Sequence, residues 1–323
     1  MSTAATVKRN KVRRAPKWLL AAPSWAWYLL FFIVPLGFVV FYSFGYKPPV
    51  GSSKLVGTDR LSLDNYRDAL TGDLRSTFKN TMQVAILGTI LCLVIAFPVA
   101  YFLAVKASAR WKGLLLGLVI VPFWTSFLIR TIAWRIVLAP KGFFSNWFQD
   151  IGLRDSPLRI LDTRPAVQIG VVYNYLPLMI FPLFVALDRL DPALREASKD
   201  LGAGRIKTFF QVTVPLAMPG IVAGLLLVFI PLSGDYITAR VLGGAKGNMV
   251  GATIADRVFS AQNQPLGSAI AVVLIVSILA VIIVAAVIGL ALRRIGRLRR
   301  SVDVPEEPVG AMGSQSGLTG AVA

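Results

Sequence analysis

Six apolar runs, each long enough to cross a bilayer, dominate this 323-residue chain. A helix needs about 20 apolar residues to traverse the hydrocarbon core. Within that core every backbone N–H and C=O must be satisfied inside the protein, so runs of this length fold as helices. The candidate spans are 18–44, 80–105, 113–138, 166–187, 219–238 and 266–292. Composition agrees: 55% of residues are hydrophobic and 15% charged, against about 25% charged in soluble domains. Mean hydropathy is +0.67. The fold class expected is an all-α polytopic membrane protein.

Most spans carry proline: Pro35, Pro98, Pro122, Pro177 with Pro182, and Pro231. Proline removes one helical hydrogen bond and bends the axis. Membrane helices tolerate this where neighbours cover the freed carbonyl. A packed, kinked bundle is therefore expected. Gly113–Gly117 and Gly220–Gly224, each with three residues between the glycines, would permit close helix contact.

Net charge is +18. In a soluble domain this would suggest nucleic acid, but here Lys and Arg cluster at the ends of apolar runs, so topology accounts for them and no nucleic-acid partner is expected. The N-terminal tail, 1–17, holds Lys8, Arg9, Lys11, Arg13, Arg14 and Lys17. The last span is followed by Arg293, Arg294, Arg297, Arg299 and Arg300. Six spans return both termini to one side, and the positive-inside rule makes that side cytoplasmic. The loops at 106–112 and 188–218 then lie inside, and those at 45–79, 139–165 and 239–265 outside. Asp59, Asp64, Asp68 and Asp73 offset the basic residues of the first outer loop. The first span is too long for a signal peptide, and Pro35 and bulky aromatics stand where a small-residue cleavage site would be. It is read as retained. Residues 293–323 form a basic cytoplasmic stretch and, beyond Val304, a Gly/Ser/Ala-rich tail expected to be disordered.

The chain has no His and a single Cys, Cys92. A disulfide within the chain, a Cys/His metal site and any Ser-His or Cys-His catalytic pair are thereby excluded. No metal site is expected, and no enzyme.

One stretch interrupts the apolar pattern. Residues 195–215 read REASKDLGAGRIKTFFQVTVP. Asp191-Pro192 has the form of a helix start, an N-cap acceptor followed by proline at the first helical position. Leu194, Ala197, Ser198 and Leu201 share one helical face. Gly202 and Gly204 suit a helix end and a tight turn, with positive φ expected at Gly202. A second short helix over 205–212 would stop before Pro215. Periodicity alone is equally consistent with an interfacial loop that has no partner.

The order of residue types resembles the EAA loop of ATP-binding-cassette importer permeases. Glu196-Ala197-Ser198 is followed at family spacing by Gly202 and then by Val212-x-Val214-Pro215. Ser198 replaces the family's second Ala, and the valines replace Ile and Leu. Three further segments, 92–101, 121–134 and 233–244, look like the first permease of the spermidine/putrescine importer pair, and Ser62-Leu-Asp-Asn-Tyr-Arg67 fits it too. The resemblance covers roughly residues 18–292, and implies the type I ABC importer permease fold in a bacterial cytoplasmic membrane. It also implies partners: two ATPase copies, a homologous second permease and an extracytoplasmic binding protein. The 188–218 loop would be the coupling helix, with Glu196, Ala197, Ser198, Gly202, Val212 and Pro215 meeting the ATPase. No G-x-x-x-x-G-K-[ST] occurs in the chain, so ATP and Mg²⁺ would be bound by the partner ATPase, with no cofactor in this subunit.

A polyamine is a flexible polycation, and its path calls for carboxylates, carbonyls and aromatic faces. Asp235 is the one acid placed well inside a candidate span. At 1.5 Å per residue it lies roughly 24 Å from the cytoplasmic start of span five. Arg130 reaches a similar depth on span three, on a stripe with Phe123, Phe127 and Trp134. Asp235, Tyr236, Trp134, Tyr173 and Asn174 are expected to line an outward cavity, with Asp235 as counter-charge and Arg130 as its partner when empty. The competing reading puts Asp235 just beyond a shorter span, with Arg130 snorkelling outward. Helix packing alone would also explain the aromatic stripe. Rival functions are an importer of the same build for iron, sulfate or an opine, an ATP-independent secondary transporter or channel, and a membrane enzyme.

Overall fold

The computed structural model describes residues 17–300 apart from Val50, Ser53, Arg154 and Ala245; at 17–20 and 292–300 it describes the helix but not the side chains. The basic residues before Lys17 and the tail beyond Arg300 lie outside the described residues. All regular structure among the described residues is helical, apart from one isolated antiparallel bridge between Tyr46 and Gly57.

The first span comprises α1 (Lys17–Tyr28), a π-helical turn over Leu29–Ile33, and α2 (Val34–Ser43). In that turn the Val34 N–H donates to the Leu29 carbonyl five residues back. Pro35 follows at once. Proline has no N–H and its ring crowds the carbonyl four residues back, so a widened turn lets the helix continue through it. The apolar window of this span buries none of its residues. Its end is clamped by the loop that follows it. Asn65 Nδ2 donates to the carbonyls of Ser43 (3.0 Å) and Gly45 (2.6 Å), and the Tyr66 and Ser43 hydroxyls lie 2.6 Å apart. Asn65 and Tyr66 begin the short helix α3 (Asp64–Leu70), so part of the 62–67 motif has a structural duty.

Span two is α4 (Gly72–Tyr101), extended by a π turn over Phe102–Lys106. It starts eight residues before the expected 80. Span three departs most from expectation. Instead of one helix over 113–138, α5 (Ala109–Ile120) and a 3-10 turn (Val121–Trp124) are followed, after Thr125 and Ser126, by α6 (Phe127–Val137). The two arms are bent by 88°. Pro122 removes a donor at the bend, and Thr125 and Ser126 take extended backbone conformations. A depth counted at a constant rise per residue therefore fails beyond Trp124, and Arg130 is not where that count put it.

After α7 (Phe143–Asp150), span four is α8 (Arg164–Asp188), close to expectation. The polar loop forms α9 (Pro192–Asp200) and α10 (Arg205–Thr208). α10 does not stop before Pro215. A π turn over Phe209–Thr213, with Val214 N–H donating to Phe209 O, carries it into α11 (Val214–Ser233). The span is continuous from Arg205 to Ser233, and Pro215 is accommodated as Pro35 is. It ends at Ser233, short of the expected 238. The chain then turns through Gly234–Tyr236 into α12 (Ile237–Leu242) and α13 (Val250–Ala255).

The chain falls into two units, Met1–Val276 and Ser277–Ala323. The last helix, α14 (Gln264–Arg300), contributes residues up to Val276 to the first, where Leu266, Ala269, Ile270 and Leu274 are buried. Described residues of the second unit are helical.

The core of the first unit is the packing of α4, α8 and α11, with Val84, Val171, Met179, Leu183, Val228 and Leu232 buried. The two Gly-x-x-x-Gly pairs part company here. A Cβ on Gly220 would sit 2.4 Å from Ala186 Cβ and 2.5 Å from the Pro182 carbonyl, and one on Gly224 2.6 Å from Met179 Sδ. α11 thus presses against α8 through bare glycines. Nothing lies within 4 Å of a Cβ on Gly113 or Gly117, so that expected contact is absent among the described residues. Gly220→Val is expected to destabilise the fold by about 1–3 kcal/mol, since the obstructing carbonyl cannot rotate away. Thermal unfolding in detergent checks this, with Gly117→Val expected to stay near the parent.

Candidate functional site

The polar loop is built by local rules. The Asp191 side chain caps α9 by accepting from Ala193 N–H at 2.9 Å, with Pro192 in the first turn. The helix ends at Gly202, whose φ is +80°. No atom lies within 4 Å of a Cβ built there, so glycine is required by backbone conformation rather than by space. Gly204 precedes α10 in an extended conformation. The Ser198 and Thr208 hydroxyls, 3.0 Å apart, tie the two short helices together. Ser198 therefore braces the turn from within. Glu196 and Ala197 are exposed, and Val212 is half-buried in the π turn before Pro215.

The outer face of this loop is apolar in a way water does not explain. Leu201 is 89% exposed and Ile206 77% exposed, on either side of the glycine turn, with Phe210 exposed beyond them. Exposed large side chains grouped on a rigid turn mark a contact surface.

The second candidate region lies where α6, α8 and the α11–α12 turn converge. Asp235 is not within a helix but in the turn after α11. It is nevertheless 6% exposed, closed in protein rather than lining an open cavity. Its Oδ1 accepts from the Thr238 N–H at 3.0 Å, capping α12, while Oδ2 has no hydrogen-bond partner among the described residues. Asn174 is 1% exposed, and its Nδ2 donates to Thr131 Oγ1 at 3.1 Å, leaving Oδ1 unpartnered.

Arg130 does not pair with Asp235; no ion pair joins them within 4.0 Å. The guanidinium lies instead 5.0 Å from the ring centroid of Phe123 and 5.7 Å from that of Phe127. Those rings stand on opposite sides of the break in span three, so the bend brings two aromatic faces around one cation. Nε and Nη1 of Arg130 are shielded and unpartnered. Trp134 packs edge-on to Tyr173 at 5.4 Å and stacks with Phe144 at 6.5 Å. Tyr236 is exposed. Among the six residues the contacts run in pairs, Trp134 to Tyr173, Asn174 to Thr131 and Asp235 to Thr238.

Two residues beside Asp235 escaped sequence reasoning. Tyr175 lies next to Asp235, its hydroxyl 3.5 Å from the Pro231 carbonyl and its ring edge-on to Phe127 at 6.0 Å. Thr238 packs its methyl against Gly170, where a Cβ would come within 2.9 Å. The spacing Asp235-x-x-Thr238 is a helix-start signal that was legible in the sequence. The side on which Tyr175 falls was not.

The family model described as "Binding-protein-dependent transport system inner membrane component" matches residues 96–297. The chain belongs to that family. It is 38% identical over 248 residues to the spermidine/putrescine transport system permease protein PotB of Escherichia coli (strain K12), covering 77% of this chain and 88% of that protein. It is 40% identical over 212 residues to the protein of the same name from Haemophilus influenzae, covering 66% and 74%. The crystal structure of a bacterial ABC transporter involved in import of the acidic polysaccharide alginate superposes with a TM-score of 0.67 at 17% identity, covering 86% of this chain and 96% of that one. That likeness establishes the ABC importer permease fold. The protein is a multi-pass component of the inner membrane.

Proposed function

We propose that this chain is the membrane-spanning permease subunit of an ATP-driven importer of polyamines, working by alternating access with a separate ATPase. The observation that carries the reading is the α9–Gly202–α10 turn, with its capped helix and exposed Leu201 and Ile206, at the spacing of the EAA loop. In this reading Glu196, Ala197, Gly202 and the adjoining apolar residues enter a groove of the ATPase, and Ser198 keeps the two short helices moving as one body. Span five is continuous from the loop to Ser233, so a push on α10 is carried along one helix toward the Asp235 turn. The polyamine assignment draws on the names of the relatives and on a buried carboxylate suited to a cation.

The partners proposed are an ATPase dimer, a second permease and an extracytoplasmic binding protein. An unburied first span is consistent with a further membrane subunit covering it, since lipid and an apolar partner helix serve such a surface equally well. Both termini are proposed to be cytoplasmic. Reporter fusions at Met1 and Ala323 are expected to be active only as cytoplasmic fusions; a periplasmic signal at either end refutes the orientation.

The deciding experiment is reconstitution. Proteoliposomes with the co-expressed subunits and binding protein are expected to take up labelled spermidine or putrescine only with ATP inside the ATPase compartment. Uptake that persists without the ATPase would point to a secondary transporter. ATP-driven uptake of another solute alone would keep the architecture and replace the substrate.

A further inference from the structure

Where spans two and five end beside the polar loop, the chain forms a cleft of about 500 Å³. Lys106, Arg195, Lys199 and Arg205 surround it, with Glu196 as the one acid in its lining. None of the four cations has an ion pair among the described residues. Lys112, on the same side of the bundle, shows the contrast: its Nζ donates to Asp188 at 2.6 Å. Arg195 is half-buried, and its Nη1 is shielded from solvent with no hydrogen-bond partner among the described residues.

The size of the cleft sets the energetics. Four cations and a single acid line this one cleft, and over a Debye length of about 8 Å their repulsion is only partly screened. A guanidinium N–H shut away from water without an acceptor adds a desolvation cost. A bound anion would relieve both. The wall of the cleft opposite α9 is apolar, made by Tyr101, Val105 and Phe209, with Phe209 edge-on to Phe97 at 5.3 Å and to Tyr101 at 6.0 Å.

Position narrows the ligand. Lys106 is the last residue of the second span and Arg205 the first of the fifth. Helices of 35 and 29 residues are long enough to cross the ~30 Å hydrocarbon core and reach the headgroups, so a cleft where both end lies within reach of lipid phosphates. A basic rim over an apolar wall at that depth suits a phosphodiester with its glycerol and upper acyl chain. We infer that this cleft binds a phosphate-bearing anion, the headgroup of an acidic phospholipid, and so pins α9 to the ends of spans two and five. The binding depends only on the span ends and the cations. Its consequence, lipid-dependent coupling, rests on the reading of α9 as the coupling helix.

The test uses the full chain in the complex with which it purifies, examined by native mass spectrometry. Phosphatidylglycerol, phosphatidylcholine and inorganic phosphate are titrated separately. Phosphatidylglycerol is expected to bind at a site phosphatidylcholine does not fill. The double variant Lys106→Gln/Arg205→Gln should weaken it about 25-fold, roughly fivefold for each basic group at an anionic surface. Lys106→Arg/Arg205→Lys, which keeps both charges, should bind nearly as the parent does and guards against misfolding. If inorganic phosphate rather than the lipid shows this pattern, the site stands and its ligand is soluble. Unchanged binding of both in the Gln variant overturns the proposal, as does a variant that loses a protein subunit while keeping its lipid. Neither result depends on whether polyamines are transported.

Discussion

Replacing Gly202 with leucine is expected to lower uptake at least tenfold while leaving the protein inserted in the membrane. Gly202 adopts φ +80°, a region where an L side chain costs about 1–2 kcal/mol. No steric contact is involved, because the space around the position is open. The substitution therefore has two separable effects: it opposes the turn that sets α9 against α10, and it adds bulk between Leu201 and Ile206, the most exposed apolar residues of the loop. Gly202→Asn separates them. Asparagine tolerates the left-handed region and stays small and polar, so it should retain most of the uptake. ATP hydrolysis and solute uptake measured in the same vesicles give the coupling ratio. The leucine variant should hydrolyse ATP with little uptake; wild-type uptake in that variant would remove the loop from the mechanism.

Asp235→Asn is the second large effect expected, an uptake loss of tenfold or more. The two carboxylate oxygens stand in different surroundings. Oδ1 caps α12 through Thr238 N–H, and Oδ2 is buried near the Tyr175 and Thr238 side chains with no hydrogen bond of ordinary length among the described residues. A buried carboxylate oxygen left unpaired is costly, and this one is not relieved by Arg130. Asparagine keeps an acceptor for the cap and removes the charge, so its thermal stability should stay near the parent. Asp235→Ala removes the cap as well and should cost a further ~0.5–2 kcal/mol of stability. Transport by the Asn variant at the parental rate would mean that Asp235 serves only to start α12. Since Asp235 is closed in protein, a counter-charge role requires the α11–α12 turn to open during the cycle. Span five, continuous from Arg205 to Ser233, is the element placed to open it.

What the sequence alone determined follows from the bilayer as solvent. Long apolar runs must become helices because no other structure satisfies their backbone in lipid, and so the spans, the fold class and the interrupting polar loop were legible. The cap at Asp191, the left-handed turn at Gly202 and the paired short helices were legible too, because each depends on residues within a few positions of one another. Tertiary structure decided everything that depended on a distant neighbour. Gly113–Gly117 and Gly220–Gly224 have the same spacing, yet only the second meets a helix, since a small residue permits contact without supplying the partner. Pro122 lies at a break of 88°, whereas Pro35 and Pro215 sit in helices that run on behind a widened turn. A missing N–H costs the same at each; the helix runs on where a widened turn precedes the proline, and it breaks at Pro122, where Thr125 and Ser126 are extended. That break carried Arg130 onto the rings of Phe123 and Phe127, and the early end of α11 placed Asp235 beside Tyr175 and Thr238. Spacing along a chain fixes which residues share a helical face, but only the packed bundle fixes which charges meet.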